Sequence, residues 1–341
     1  MKEAAALPDD VAIALGEIEA ASGGCGCGAG LLRFMSEDAP IYQHKGSSEV
    51  ERLRAFIAVK LANAGLADAL MPFALEEIET GTNAYAIASA ARVVRAASTM
   101  PPGITELMVA AIDRIRPVNE FVQFDDYPGL PGPNSMTAVD EAIQALSIAR
   151  AKVQAATDAM GRQAYGNDNF ARQPPIVGSI ASLRDIELQN QDGKCARFGD
   201  IFAGRPGIVA FFYTRCMNPN KCSRTISQLA EMQRVIRERA IGNPAMIAGI
   251  TYDPEYDLPE RLHRYGTDRR LAFDENCQLL RSTGSFDAIR DGLQLGVGYG
   301  SSTVNRHRIE VLVIDRAGAI VHSNVRRLWD VKELTDLLLD V

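Results

Sequence analysis

The spacing of apolar residues changes once along the chain. Over residues 48 to about 160 they recur at helical intervals: Val50, Leu53, Ile57 and Leu61 form one stripe, and Ile104, Leu107, Met108, Ala111, Ile112 and Ile115 another. The pattern predicts amphipathic helices with short polar breaks. Residues 70–78 align with residues 107–115 at an offset of 37, a period that suits a two-helix repeat. A helical repeat and an ordinary bundle both satisfy it, and either makes residues 1–160 an all-α domain. Within it, residues 125–134 are dense in Asp, Pro, Gly and Asn and predict a surface loop, followed by a long helix from about Ser135 to Met160. Residues 161–175, rich in Gly, Asn, Gln and Pro, predict a linker.

After the linker the pattern becomes that of strands. Residues 186–198 read as a hairpin around Asp192 and Gly193, and residues 207–214 form a continuous apolar run of buried-strand type. A helix is expected at about 220–239, a strand at 245–252, a helix at 259–265 and a strand at 310–315. A turn at Ala317 and Gly318, a strand through Val321 and a helix at 331–339 close the chain. Strand, helix and strand followed by a hairpin and a helix is the order of an α/β thioredoxin-like (redoxin) domain, here residues 176–341.

Composition narrows the partners. A formal charge of -7 and a pI near 5.3 lack the basic field that attracts nucleic acid or anionic lipid, so a small ion or a protein is expected. The start of the chain has no basic region, and the apolar run at 11–15 is too short for a signal core or a membrane span, so a cytoplasmic protein is expected. Six cysteines are too few for a disulfide scaffold and are read by their surroundings.

Cys216 and Cys222 follow the buried strand directly and stand at the mouth of the next helix, where backbone N–H groups and the helix dipole favour thiolate. Five residues separate them, a loop wide enough to present both sulfurs to one ion. Two thiolates suit copper(I) or zinc. A disulfide between them, or two inert thiols, is the plainer alternative. A second pair, Cys25 and Cys27, sits on the glycine run of residues 23–30. It reads either as auxiliary thiols for a soft ion or disulfide exchange, or as a flexible connector. Cys195, in the hairpin, and Cys277, read as early in a helix, have no partner at motif spacing and are expected to be ordinary buried or half-buried residues.

Three blocks resemble the signatures of the Sco/SenC family, in the family's order: residues 211–222 (FFYTRCMNPNKC), 251–259 (TYDPEYDLP) and 307–318 (HRIEVLVIDRAG). The resemblance implies a thioredoxin-fold, copper-binding protein in which Cys216, Cys222 and His307 hold Cu(I) or Cu(II), serving copper-site assembly or the reduction of cysteines awaiting copper. Many family members place three residues between the cysteines rather than five, and family members are usually tethered outside the cytoplasm. The helical half lies outside this resemblance and is similar only weakly to HEAT-like arrays. Without the family, His307, flanked by Arg306 and Arg308, reads as a solvated strand end. His263 and His322 read as surface residues. Asp253 either orients a ligand from behind or caps the turn into the next helix.

Two functions follow from this reading. One is a metallochaperone-like copper protein. The other is a metal-independent thiol–disulfide oxidoreductase in which Cys216 attacks and Cys222 resolves. A peroxidase variant is disfavoured, because Val209 and Arg215 stand seven residues before Cys216 and Cys222, where a peroxidatic site places proline. The helical half is expected to recruit a protein partner.

Overall fold

The computed structural model describes residues 9–21, 28–160, 176, 178–239 and 245–341, so the linker expected at 161–175 and the Cys25 and Cys27 pair lie outside the described residues. The chain folds as two units. One is Met1–Arg172 together with Gly298–Arg306, and the other is Gln173–Val297 together with His307–Val341.

The first unit is helical: α1 (Asp9–Ala21), α2 (Gly28–Leu31), α3 (Ser47–Leu61), α4 (Met71–Thr80), α5 (Ala84–Ala96), α6 (Ile104–Ile115) and α7 (Ala138–Met160). The predicted stripes form its core, with Val50, Leu53, Ile57, Leu61, Met108 and Ile115 all excluded from solvent. α5 begins where the Asn83 side chain accepts hydrogen bonds from the Tyr85 and Ala86 N–H groups, at 2.8 and 3.3 Å. Its small residues Ala86, Ala88, Ala90 and Ala91 let α3, α4 and α7 approach it closely. α7 starts later than its sequence suggests. Residues of β2 (Met136–Thr137) pair antiparallel with β1 (Phe121–Val122), and the Ala138 N–H bonds the Glu120 carbonyl at 2.9 Å, so the chain is held extended until Ala138.

The second unit is built on one eight-stranded sheet. Its elements are β3 (Gly178–Ser179), β4 (Glu187–Asn190), β5 (Cys195–Arg197), α8 (Phe198–Ile201), β6 (Gly207–Phe212), α9 (Arg224–Arg239), β7 (Met246–Thr251), α10 (Pro259–Thr267), β8 (Cys277–Ser282) and α11 (Asp287–Gly292). Next along the chain is the hairpin β9 (Val297–Tyr299) and β10 (Val304–His307), of which Gly298–Arg306 belongs to the first unit, and then β11 (Glu310–Ile314), β12 (Ala319–Val325) and α12 (Val331–Asp340) of the second. The strand order is β3-β12-β11-β6-β7-β8-β4-β5, with β6, β7 and β8 parallel and the other pairs antiparallel. The β6–α9–β7 crossover and the β11–β12–α12 ending are the two halves of a thioredoxin-like fold. Every residue of β6 and β7 is buried, which is why both read as unbroken apolar runs. Gly249 lies where a Cβ would stand 3.3 Å from Ile226 of α9 and 2.6 Å from Leu279 of β8, so its lack of a side chain lets the helix lie against the sheet.

Cys277 departs from expectation. It opens β8 rather than a helix, because the run from Cys277 to Ser282 pairs parallel with β7, and that pairing decides its conformation. Cys195 is exposed on the edge strand β5 rather than buried or half-buried, and Cys277 is buried. No helix among the described residues is long and apolar enough to cross a membrane.

Candidate metal centre

The loop after β6 is shaped by carboxylates of the segment after β7. Asp257, fully buried, accepts a hydrogen bond from the Thr214 N–H at 3.1 Å and further bonds from the Thr214 and Thr251 hydroxyls. Burial pushes its carboxyl above the usual range while these donors oppose the shift. Asp253 accepts from the Arg215 guanidinium, Nε at 3.1 Å, and that guanidinium also stacks 3.9 Å over the Tyr256 ring. Thr214 and Arg215 are thus tied down on either side of the backbone leading to Cys216.

Cys222 is turned inward by the next few residues. Asn218 accepts from the Asn220 N–H at 2.9 Å, Pro219 starts the turn, and Lys221 kinks it with φ -107° and ψ -105°. Cys222 is 1% exposed, while Cys216 is half-buried. The Lys221 side chain is buried as well, and its Nζ donates to the His307 carbonyl at 2.9 Å. The loop and the β10 strand end are therefore joined by a charge-assisted hydrogen bond beside the sulfurs.

His307 ends β10 and is buried. Its ring is packed by Tyr213, edge-on at 5.4 Å between centroids, and by Tyr252 at 5.5 Å. Nδ1 lies 3.0 Å from the Arg308 carbonyl oxygen, which can only accept, so Nδ1 carries a proton and Nε2 is the nitrogen turned to the sulfurs. Nε2 points at both sulfurs, 3.4 Å from Cys216 Sγ and 3.5 Å from Cys222 Sγ. Behind the ring, fully buried Glu310 gathers the supports: Oε2 accepts from the Tyr252 hydroxyl at 2.7 Å, and Oε1 accepts from Arg308 Nε at 2.7 Å and the Gly296 N–H at 2.9 Å. One carboxylate thus fixes both the ring that packs on His307 and the residue whose carbonyl sets its tautomer.

The donor atoms of Cys216, Cys222 and His307 all lie within 4.8 Å of one another. A metal about 2.3 Å from sulfur and about 2.05 Å from nitrogen, at a tetrahedral angle, requires an N···S separation of roughly 3.5 Å. The observed separations agree, and two sulfurs with one imidazole are a donor set for a soft ion. The two thiols are driven apart in acidity. The Cys222 thiol donates to Cys216 and the neighbouring His307 adds to this, which holds Cys216 well below the ordinary thiol range despite its burial. Burial, followed by the Cys216 thiolate, pushes Cys222 well above that range.

The structure brings together the three residues that the family resemblance implied. Asp253 stands beside them through Arg215, with no bond to a sulfur or to His307 among those seen. His263 is on the surface, 3.3 Å from Asp192, and His322 lies on β12. The sequence reading missed Lys221, Tyr252, Asp257 and Glu310. A charged residue opening the apolar run of β11 was the one local signal for Glu310.

Residues 181–323 match the family model described as SCO1/SenC. No curated protein matches the chain. Among solved structures the chain is similar to Arabidopsis thaliana ScoI with copper bound, at 23% identity over 48% of this chain and 96% of that one, TM-score 0.38. It is also similar to a SCO1/SenC family lipoprotein from Bacillus anthracis str. Ames, at 20% identity over 50% of this chain and 98% of that one, TM-score 0.40. Yeast Sco1 with copper bound matches at 20% identity over 50% of this chain and 93% of that one, TM-score 0.35.

Proposed function

We propose, taking the SCO1/SenC character of residues 181–323 as the premise, that the C-terminal unit binds one copper ion through Cys216 Sγ, Cys222 Sγ and His307 Nε2 and acts as a metallochaperone-like protein. The observation that carries the reading is the convergence of an imidazole nitrogen on two sulfurs at metal-site spacing. Copper would supply a soft, thiophilic cation for the two sulfurs and the imidazole nitrogen, with the Cys222 proton leaving as it binds. The protein's own residues prepare the site. Arg308 and Glu310 hold the tautomer, Tyr213 and Tyr252 hold the ring, and Lys221 offsets the negative charge of two thiolates. A half-buried Cys216 beside a buried Cys222 leaves one sulfur facing the surface, where a ligand from an accepting protein can reach the ion.

The test uses the reduced protein with copper(II) added anaerobically, comparing wild type, Cys216→Ser, Cys222→Ser and His307→Ala. Wild type should bind about one copper with a thiolate-to-copper charge-transfer band. The band should vanish in either cysteine variant and shift or weaken in His307→Ala. Copper binding equal in wild type and Cys216→Ser would overturn the reading.

One observation favours a second activity of the same pair, metal-independent thiol–disulfide exchange. The sulfurs differ in acidity as attacking and resolving thiols do: Cys216 thiolate would open a partner disulfide to a mixed disulfide and release one partner thiolate. Cys222, losing its proton, would then displace the second partner thiolate and close a Cys216–Cys222 disulfide. Turnover of a disulfide substrate without copper, lost in Cys216→Ser, is the expected sign. The reading keeps the cytoplasmic location, which cell fractionation tests. It also keeps a protein partner on the helical unit, which a pull-down with the full chain against the same chain altered on that surface tests.

A further inference from the structure

Methionine is a residue that proteins bury, and the chain follows that rule with one exception. Met35, Met71, Met108, Met232 and Met246 are buried, and Met100 and Met136 are half-buried. Met217 is 92% exposed, more than any other large apolar residue among those described. It is the residue after Cys216.

Its neighbours hold it there. Arg215 is tied to Asp253, Nε at 3.1 Å, and the Asn218 side chain accepts from the Asn220 N–H at 2.9 Å where the turn into Cys222 begins. Cys216 Sγ lies 3.7 Å from the Asn218 carbonyl oxygen, so the chain closes into a tight turn across residue 217. Met217 stands at the apex of that turn with fixed flanks and its side chain in solvent. A single exposed apolar residue is common and means little by itself. Here its chemistry and its place add to the exposure. A thioether is a soft, neutral ligand that suits Cu(I), and its chain has three rotatable bonds. Adjacent α-carbons are only about 3.8 Å apart, which leaves that sulfur free to swing beside Cys216. Cys222 and His307 are buried, and Cys216 is the half-buried member of the three. An arriving ion therefore meets Cys216 and Met217 before the other two donors.

We infer that Met217 is the entry and exit ligand for Cu(I): its thioether grips the ion together with Cys216, yields it to Cys222 and His307, and is the first ligand offered again on release. The inference rests on the copper reading and adds a fourth residue to it. One carrier–copper bond breaks as the Met217 sulfur binds. The Met217 bond breaks in turn as Cys222 Sγ binds, and the Cys222 proton passes to water. The ion stays Cu(I), so no electron moves. Met217 leaves the final site, so it speeds uptake and release by the same factor and leaves the affinity alone.

The experiment compares full-length wild type with Met217→Leu, which keeps the apolar bulk and removes the ligand. Cu(I) bound to bicinchoninate is mixed anaerobically with each reduced protein, and the reverse transfer is followed from loaded protein to excess bicinchoninate. Both rates should fall about tenfold in Met217→Leu, as about 1.4 kcal/mol added to a barrier would give, with the equilibrium constant unchanged. A second reading uses Cys222→Ser labelled with carbon-13 at the methionine methyls, in which the final site cannot close. Cu(I) should shift the Met217 methyl signal, identified by its absence from Met217→Leu, and leave the buried methionines unmoved. Equal rates in wild type and Met217→Leu, or a Met217 methyl that ignores Cu(I), overturn the inference while the copper reading stands. A weaker equilibrium constant in Met217→Leu with unchanged uptake also overturns it, because Met217 would then be a resident ligand. Wild type that takes no Cu(I) from bicinchoninate overturns the copper reading and this inference with it.

Discussion

Both units bury polar groups, and the two sets differ in what they leave available. In the helical unit, fully buried Glu141 accepts from Arg92 at 2.6 and 2.9 Å and from Arg95 at 2.8 Å, and Arg54 stands 3.3 Å from buried Glu37. These are permanent charges in matched pairs, and each carboxylate is satisfied by cations of the same unit. In the C-terminal unit, Cys216, Cys222 and His307 present two sulfurs and a nitrogen to one another, with the pKa of Cys216 lowered and that of Cys222 raised. Paired permanent charges fix a structure. Convergent soft donors that carry fewer protons than lone pairs keep an affinity for a cation.

The sharpest way to break this comparison is at the sulfurs. Cys216→Ser or Cys222→Ser should lower bound copper, measured by atomic emission after dialysis, from about one per chain to less than about a tenth of that, with unfolding in urea little changed. Glu141→Ala should do the opposite. It strips the counter-charge from two partly buried guanidiniums and should cost about 3 kcal/mol of stability in urea unfolding, with the charge-transfer band of any folded protein unchanged. If Glu141→Ala instead altered the copper spectrum, the division between structural and chemical clusters would be wrong.

Smaller effects probe the support of the site. Glu310→Gln or Tyr252→Phe should weaken copper binding about tenfold in competition titrations, because the first loosens Arg308 and the second frees the ring beside His307. The pH dependence follows from the two sulfurs. Cys216 loses its proton at a lower pH than an ordinary thiol because its pKa is depressed, and Cys222 holds its proton to a higher pH because its pKa is raised. Between those two values copper should release about one proton per ion, and affinity should rise about tenfold per pH unit. Below the Cys216 value the release should approach two. Calorimetry in buffers of different ionisation enthalpy counts these protons.

How much of this was legible in the sequence follows the range of the interactions. Cys216 and Cys222 were legible because a buried strand running into a helix start is a local pattern, and the stripes of α3 and α6 were legible because a helix repeats over neighbouring residues. His307 was legible only through the resemblance, since two flanking arginines make it look solvated, and it is buried by Tyr213 and Tyr252 from distant segments. Lys221 and Glu310 carried the wrong signal for the same reason. A charge reads as exposed unless its partner is known, and their partners are the His307 carbonyl and the Tyr252 hydroxyl. β8 failed differently. Its six residues are too few to show a period, and pairing with β7 makes it a strand. Membership of Gly298–Arg306 in the helical unit rests on bonds to α4 from residues more than two hundred positions away, which no local pattern encodes.

X-ray absorption at the copper edge of the reduced, copper-loaded full-length protein, with His307→Ala beside it, tests the central claim most directly. The account predicts two sulfur neighbours at about 2.3 Å and one imidazole nitrogen in wild type, with the imidazole signal absent from the variant. A shell of oxygen and nitrogen without sulfur, or an imidazole signal that survives in His307→Ala, would contradict it.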